Sequence, residues 1–201
     1  MKKVLFLIDS LAVGGAEISV LEVVKNLRCH QPIVCVVYAS KHVLTAEFEN
    51  AGAKLYFFDI SKRFGFGQAV EALRRVIDLE KPDLVHTTLF KSEIIGRLAI
   101  PRYKIPLVGS LISDTYGRER DALVSKRERL KLNLYKLLNR FTAHRADLFI
   151  SVSQAIVAPN CRYLAIPNEK VIVVPNGRDI ERFDQAEVYP KIQIADVGHQ
   201  S

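Results

Sequence analysis

Apolar residues along this chain fall into two alternating patterns. Short continuous runs, such as "VLFLI" at 4–8, "IVCVVYA" at 33–39 and "VIVV" at 171–174, have no polar face and predict strands buried on both sides. Strands are predicted at Val4–Ile8, Ile33–Ala39, Lys54–Ile60, Asp83–Thr88, Leu107–Ile112, Asp147–Ser153 and Val171–Pro175. Between them apolar residues return every three or four positions, as at Ile18, Leu21, Val24 and Leu27, and again at Val70, Leu73, Val76 and Ile77. That spacing gives a helix one apolar face. The alternation predicts an α/β domain: a Rossmann-like, doubly wound, mostly parallel sheet of about seven strands with helices on both faces. Ligands in such sheets sit beyond the carboxyl ends of the strands, so chemistry is sought there first.

The pattern changes late in the chain. After "VIVVPNGRDIERF" comes the polar "DQAEVYPK" and then "IQIADVG", a fresh strand-like run close to the last residue. One strand cannot form a domain. The expected division is a Rossmann-like domain over 1–184, a linker over 185–190, and over 191–201 the first strand of a second α/β domain whose remainder lies outside this chain.

Of the 201 residues, 49% are apolar and 25% charged, the balance of a soluble globular protein. Lys2 and Lys3 precede an apolar run, but it stops at Asp9, too soon for a signal peptide. No later run approaches the ~20 residues of a membrane span, and the expected location is cytoplasmic. Cys29, Cys35 and Cys161 lack C-x-x-C spacing; neither a disulfide framework nor a metal site is indicated, and buried apolar thiols are expected. Charge is more informative. Between Gly117 and Arg145 stand nine Lys and Arg against three acids, an excess that nearly accounts for the chain's net +7.

Gly14 and Gly15 lie between the first strand and a helix predicted to begin near Ala16. A helix N-terminus carries partial positive charge and unpaired N–H groups, so glycines leading into it suit a phosphate; equally, they permit a tight turn. The G-x-G-x-x-G spacing of a nicotinamide site is absent, and the second strand ends "VVYAS" without a ribose-binding acid.

Together, "GGAE" at 14–17, "HTTLFKSEIIGRLA" from His86, "ADLFISVSQAI" from Ala146 and "VVPNGRDIERF" from Val173 resemble the N-terminal, acceptor-side domain of retaining group 1 (family 4-like) glycosyltransferases of the two-domain GT-B fold. The resemblance spans essentially the whole chain, and "PNGRDIERF" is its most specific piece. It implies transfer of a sugar from a nucleotide-sugar donor to a glycan or lipid-linked acceptor, in cell-surface polysaccharide or glycoconjugate synthesis. No cofactor is implied, the nucleotide-sugar being a substrate. Carried over by position, Gly14, Gly15 and Glu17 approach the donor, although an acid at Glu17 also suits the helix dipole. Lys91, Ser113 and Ser153 are acceptor-side candidates; Ser153 also suits a helix cap. His86, at the end of the fourth strand, and Asp114 are the catalytic candidates. Many relatives place a histidine just after the fifth strand, where this chain has "LISD" with Ile112, Ser113 and Asp114. The family's donor-binding lysine and paired glutamates lie beyond Ser201, so the chain alone is expected to be inactive. Other GT-B-like enzymes, such as a sugar-nucleotide 2-epimerase, and a non-enzymatic membrane-surface module are the alternatives.

Within the basic region Leu130, Leu134, Leu137, Leu138 and Phe141 line one face of a predicted helix, and Arg129, Lys131, Lys136 and Arg140 lie largely off it. Either the leucine face packs on the core and leaves a solvated basic face, or the basic face meets an anionic membrane surface. In the second case Phe64 and Phe66 of "KRFGFG" insert beside it, and the protein sits peripherally on the inner face of the membrane. The resemblance adds that glycosyltransferases of this architecture with lipid-linked acceptors commonly carry such a patch. No nucleic-acid motif accompanies the basic residues, and nucleic acid is not an expected partner.

Overall fold

The computed structural model describes residues 1–39, 42–61, 65–100, 103–114 and 126–177, those at 126–131 by backbone only. Its elements are β1 (Lys2–Ile8), α1 (Gly15–Asn26), β2 (His30–Tyr38), α2 (Thr45–Asn50), β3 (Lys54–Ile60), α3 (Phe66–Glu80), β4 (Leu84–Thr88), α4 (Phe90–Ala99), β5 (Leu107–Leu111), α5 (Lys126–Thr142), β6 (Leu148–Ser151), α6 (Val157–Leu164) and β7 (Val171–Val173). The strands form one seven-stranded sheet in the order β3-β2-β1-β4-β5-β6-β7, every neighbouring pair parallel. The linker and the strand expected at 185–190 and 191–201 lie outside the described residues.

Handedness explains where the helices go. Right-handed crossovers put helices on one face while the chain steps outward from β1 to β3, and on the other face once it returns to β4 and moves on to β7. On the first face Val20, Leu21 and Val24 of α1 and Phe48 of α2 pack over Phe6, Ile8, Val34 and Val36. On the second, Leu73 and Ile77 of α3, Ile95 of α4 and Leu164 of α6 share a core with Leu5, Leu7, Cys35, Val85 and Phe149. The first face is therefore covered only as far as β1 among the described residues. Beyond it, Leu84, His86, Val108, Leu148, Ile150 and Val174 line an open groove of about 1060 Å3 that α1 walls on one side. Cys35 and Cys161 are buried as expected, whereas Cys29 is exposed.

Helix α5 turns the opposite way from the core-packed arrangement of its leucines. Leu134, Leu137, Leu138 and Phe141 are 57%, 47%, 36% and 66% exposed, while Lys136, Asn139 and Thr142 are buried. The cause lies on α4, where Arg97 is wholly buried. A buried guanidinium needs acceptors. It finds them in the Asn139 side-chain carbonyl, the Asn139 backbone carbonyl and the Glu93 carboxylate. The polar side of α5 must therefore face inward, and Lys136 does not belong to a surface basic patch. Phe66 opens α3 and packs against the core and the Tyr135 ring, 5.6 Å between centroids, rather than projecting from a loop. Phe64 and the side chains of Arg129 and Lys131 lie outside the described residues. Arg140 is exposed and donates to the backbone carbonyls of Arg162 and Tyr163.

Candidate functional site

The strand order reverses between β1 and β4, and at that switch point the carboxyl ends of both strands open a crevice. Asp9 follows β1 directly. Its Oδ1 accepts hydrogen bonds from the Ser92 amide at 3.0 Å and the Ser92 hydroxyl at 2.6 Å. A carboxylate is thus seated at the N-terminus of α4, where the helix dipole favours negative charge. Burial nevertheless pushes the Asp9 carboxyl above its ordinary pKa, against the lowering effect of the Ser92 hydrogen bonds and nearby Lys91. Strand and helix are joined by Leu89 alone, at φ 80° and ψ 154°, a conformation that costs a non-glycine residue about 1–3 kcal/mol. Strain of this size is retained where the surrounding contacts dictate it, and here the Asp9–Ser92 clasp does so.

Beneath this turn lies a cavity of about 240 Å3 lined by Asp9, Leu89, Glu93, Ser110, Ser113 and Asn160, among others. Glu93 organises its floor: Oε1 accepts from the Thr87 hydroxyl at 3.1 Å and the Ser110 amide at 2.6 Å, and Oε2 pairs with Arg97. Burial raises the Glu93 carboxyl above its ordinary pKa, with Arg97 the chief opposing influence. On α4 the Lys91 ammonium stands 4.6 Å from the Tyr38 ring centroid and 6.0 Å from that of Tyr135. A cation between two aromatic faces is held in place by their quadrupoles.

The glycine pair divides in two. Gly14 caps α1 in an extended conformation, and a Cβ there would collide with the Glu17 carboxylate. Glu17 is buried and accepts weakly from the Ser10 hydroxyl at 3.5 Å. What comes close to Gly14 is thus the chain's own acid. A Cβ on Gly15 would meet nothing within 4 Å. Gly15, the first residue of α1, is exposed.

His86 is the middle residue of β4 rather than its last. Its side chain lies on the open face of the sheet, in the large groove, with Nε2 2.8 Å from the Ser110 hydroxyl and the Phe6 ring edge-on at 5.6 Å. Ser110 in turn lies 3.3 Å from the Thr88 hydroxyl. Burial lowers the imidazole pKa to about 4. Ser113 and Asp114 are exposed at the end of β5, and the Ser113 carbonyl accepts from Asn160 Nδ2 at 3.2 Å. Ser153 lines neither cavity, and its hydroxyl caps no helix. The small cavity thus includes Ser113 in its lining, whereas Lys91 stands on α4 beside Tyr38 and Gly15 lies beyond β1. His86 stands apart, part-way down the sheet face. Asp9 and Ser92 are the residues that sequence patterns miss. Asp9 had a signal, as the first polar residue after an apolar strand; Ser92 had none.

A family model described as Glycosyltransferase Family 4 matches residues 13–182. The chain belongs to glycosyltransferase family 4. Across 115 residues it is 30% identical to the UDP-Gal:alpha-D-GlcNAc-diphosphoundecaprenol alpha-1,3-galactosyltransferase of Escherichia coli, a match covering 57% of this chain and 28% of that protein. HepE of Anabaena, solved in complex with UDP and glucose, superposes with a TM-score of 0.66 at 25% identity, over 90% of this chain and 46% of its own. A UDP-N-acetylglucosamine 2-epimerase from Rickettsia bellii superposes with a TM-score of 0.58 at 17% identity, over 88% of this chain and 45% of its own, a likeness of fold alone. The chain therefore spans about half the length of these solved structures and less of the curated relative. In this family 4 chain the matched segment includes the Gly14–Gly15 turn, the β4–α4 turn and the cavity beneath it.

Proposed function

We propose that this chain is the acceptor-side half of a glycosyltransferase that moves a sugar from a UDP-type nucleotide-sugar, with retention, to a glycan or lipid-linked acceptor in cell-surface polysaccharide or glycoconjugate assembly. The observation that carries the reading is the open N-terminus of α1 at Gly15, just past the switch-point end of β1, in a chain similar to a protein solved with UDP and glucose. In this reading residues 185–190 are the linker and 191–201 begin the donor-binding domain of a longer cytoplasmic protein.

Sugar transfer leaves negative charge on the departing diphosphate, and preorganised donors aimed at that charge lower the barrier. The α1 amides near Gly15 supply such donors. Glu17 occupies the Gly14 side, so the diphosphate approaches over Gly15. Lys91, steadied by Tyr38 and Tyr135, with Ser113 at the cavity rim, faces the acceptor. His86, neutral at physiological pH by its lowered pKa, is assigned no proton transfer.

Gly15→Ala tests this directly. A Cβ at that position meets no protein atom and Ala is a better helix former than Gly, so Tm is expected to hold or rise. UDP affinity of the full-length protein containing this chain is expected to fall about tenfold, equivalent to ~1.4 kcal/mol, by calorimetry. The 201-residue chain alone is expected to turn over UDP-galactose and UDP-glucose at background. Unchanged UDP affinity in the variant would remove the diphosphate from α1, and robust turnover by the chain alone would refute the division into halves.

A further inference from the structure

We infer, resting on the reading that the donor diphosphate approaches over Gly15, that His42 is a positioning residue which fixes the loop leading to that glycine. The loop runs from Asp9 to Gly14, between β1 and α1. Irregular backbone holds one shape only where its N–H and C=O groups find fixed partners. Leu11 is where this loop finds them. Its side chain is wholly buried, in the apolar cluster that also contains Leu44 and Phe48. Its carbonyl accepts from the amide of Leu44, the residue before α2, at 3.0 Å, and its amide donates to His42 Nδ1 at 3.4 Å. Nearer the strand, the Tyr38 amide donates to the Asp9 carbonyl at 3.0 Å. Of these three tethers, His42 supplies the one that comes from a side chain.

His42 is itself held on two sides. Its carbonyl accepts from the Thr45 hydroxyl at 2.8 Å and the Thr45 amide at 3.4 Å, where α2 begins, and its ring lies 4.8 Å from the Phe57 ring of β3. Because Nδ1 accepts from the Leu11 amide, the neutral imidazole carries its proton on Nε2. That nitrogen is buried and has no hydrogen-bond partner among the described residues. A buried donor without an acceptor is a cost, so packing alone would be better served by Phe or Leu at this position. The other nitrogen explains the histidine, as the acceptor that the Leu11 amide needs. His42 lines neither cavity, and it therefore acts through Leu11 rather than by touching substrate. Past Leu11 the loop moves outward, with Val13 exposed, and Gly15 follows four residues after the anchor. Where the first turn of α1 meets the end of β1 is thus set by Leu11, and small misplacements of a binding group cost binding and rate together.

Three substitutions separate the acceptor from the packing. His42→Phe keeps a ring against Phe57 and removes the acceptor; His42→Leu removes both, and stands in for it should the Phe variant fold poorly by circular dichroism. His42→Asn offers a side-chain oxygen close to the place of Nδ1 and restores the acceptor. In the 201-residue chain, hydrogen exchange at the Leu11 amide is expected to be about tenfold faster in His42→Phe, with His42→Asn back near the original rate. In the full-length protein containing this chain, the calorimetric Kd for UDP is expected to rise about fivefold in His42→Phe and to recover in His42→Asn. A merely structural histidine would not give that recovery. Unchanged UDP affinity in His42→Phe would overturn the inference, as would equal loss in the Phe and Asn variants or Leu11 exchange that is the same in all of them. Gly15→Ala keeps this outcome apart from the donor reading. If it weakens UDP binding while His42→Phe does not, the positioning role fails and the donor reading stands. If the Leu11 amide is released in His42→Phe but neither variant changes UDP affinity, the donor reading itself has failed and takes the role of His42 with it.

Discussion

Of the charged or chargeable side chains near the open face, His86 has the simplest surroundings: Ser110 and Thr88 offer hydroxyls, Phe6 offers a ring edge, and among the described residues no ionised partner is bonded to it. Burial therefore acts unopposed and holds the pKa at about 4, below the ordinary 6.5. Between those values the unfolded chain binds more protons than the folded one, so stability is complete above pH 6.5 and falls as pH drops toward 4. In NMR titration the His86 resonance is expected to move with a midpoint near 4, and His86→Phe should flatten the pH dependence of Tm across that window. A midpoint near 6.5 would place His86 in water. The residue was legible in the sequence as the histidine of the fourth strand, but its place was not: a five-residue strand has no internal mark for which side chain reaches its rim. Gly14 and Gly15 were likewise legible as a pair. Their division was not, since nothing in "GGAE" says that the acid folds back over the first glycine.

At the scale of elements, helix α5 shows the limit of amphipathic patterning. Spacing established that Leu134, Leu137, Leu138 and Phe141 share a face. Which way the face points depended on Arg97, 42 residues earlier than Asn139, and no local pattern contains that. The resulting energetics run opposite to a hydropathy reading. Arg97→Met leaves the Glu93 carboxylate buried without its partner and is expected to destabilise by about 3–5 kcal/mol. Leu137→Ser, on the outward face, is expected to change stability by no more than about 0.5 kcal/mol. Urea unfolding of the two variants decides the matter. A larger loss from Leu137→Ser would mean that the leucine face is the packed one.

For the whole molecule, the strand runs were legible to within a few residues because strands buried on both faces carry no polar interruptions. Their parallel pairing followed from the strand–helix alternation. The bare half of the sheet did not, although handedness contains it: the windings that cover β1 to β3 on one face cannot cover β4 to β7 on that face. Adjacent residues of β6 measure the difference. Phe149 is fully buried in the core of the second face, its ring centroid 5.1 Å from the Arg97 guanidinium of α4, whereas Ile150 faces the groove. Phe149→Ala is expected to cost about 3–5 kcal/mol. Ile150→Ser, on the open face, should cost about 1 kcal/mol or less, since little apolar area is withdrawn from water there. If the two substitutions proved equally destabilising in this chain, the groove would be filled in solution, and a covering segment on that face would have to be sought.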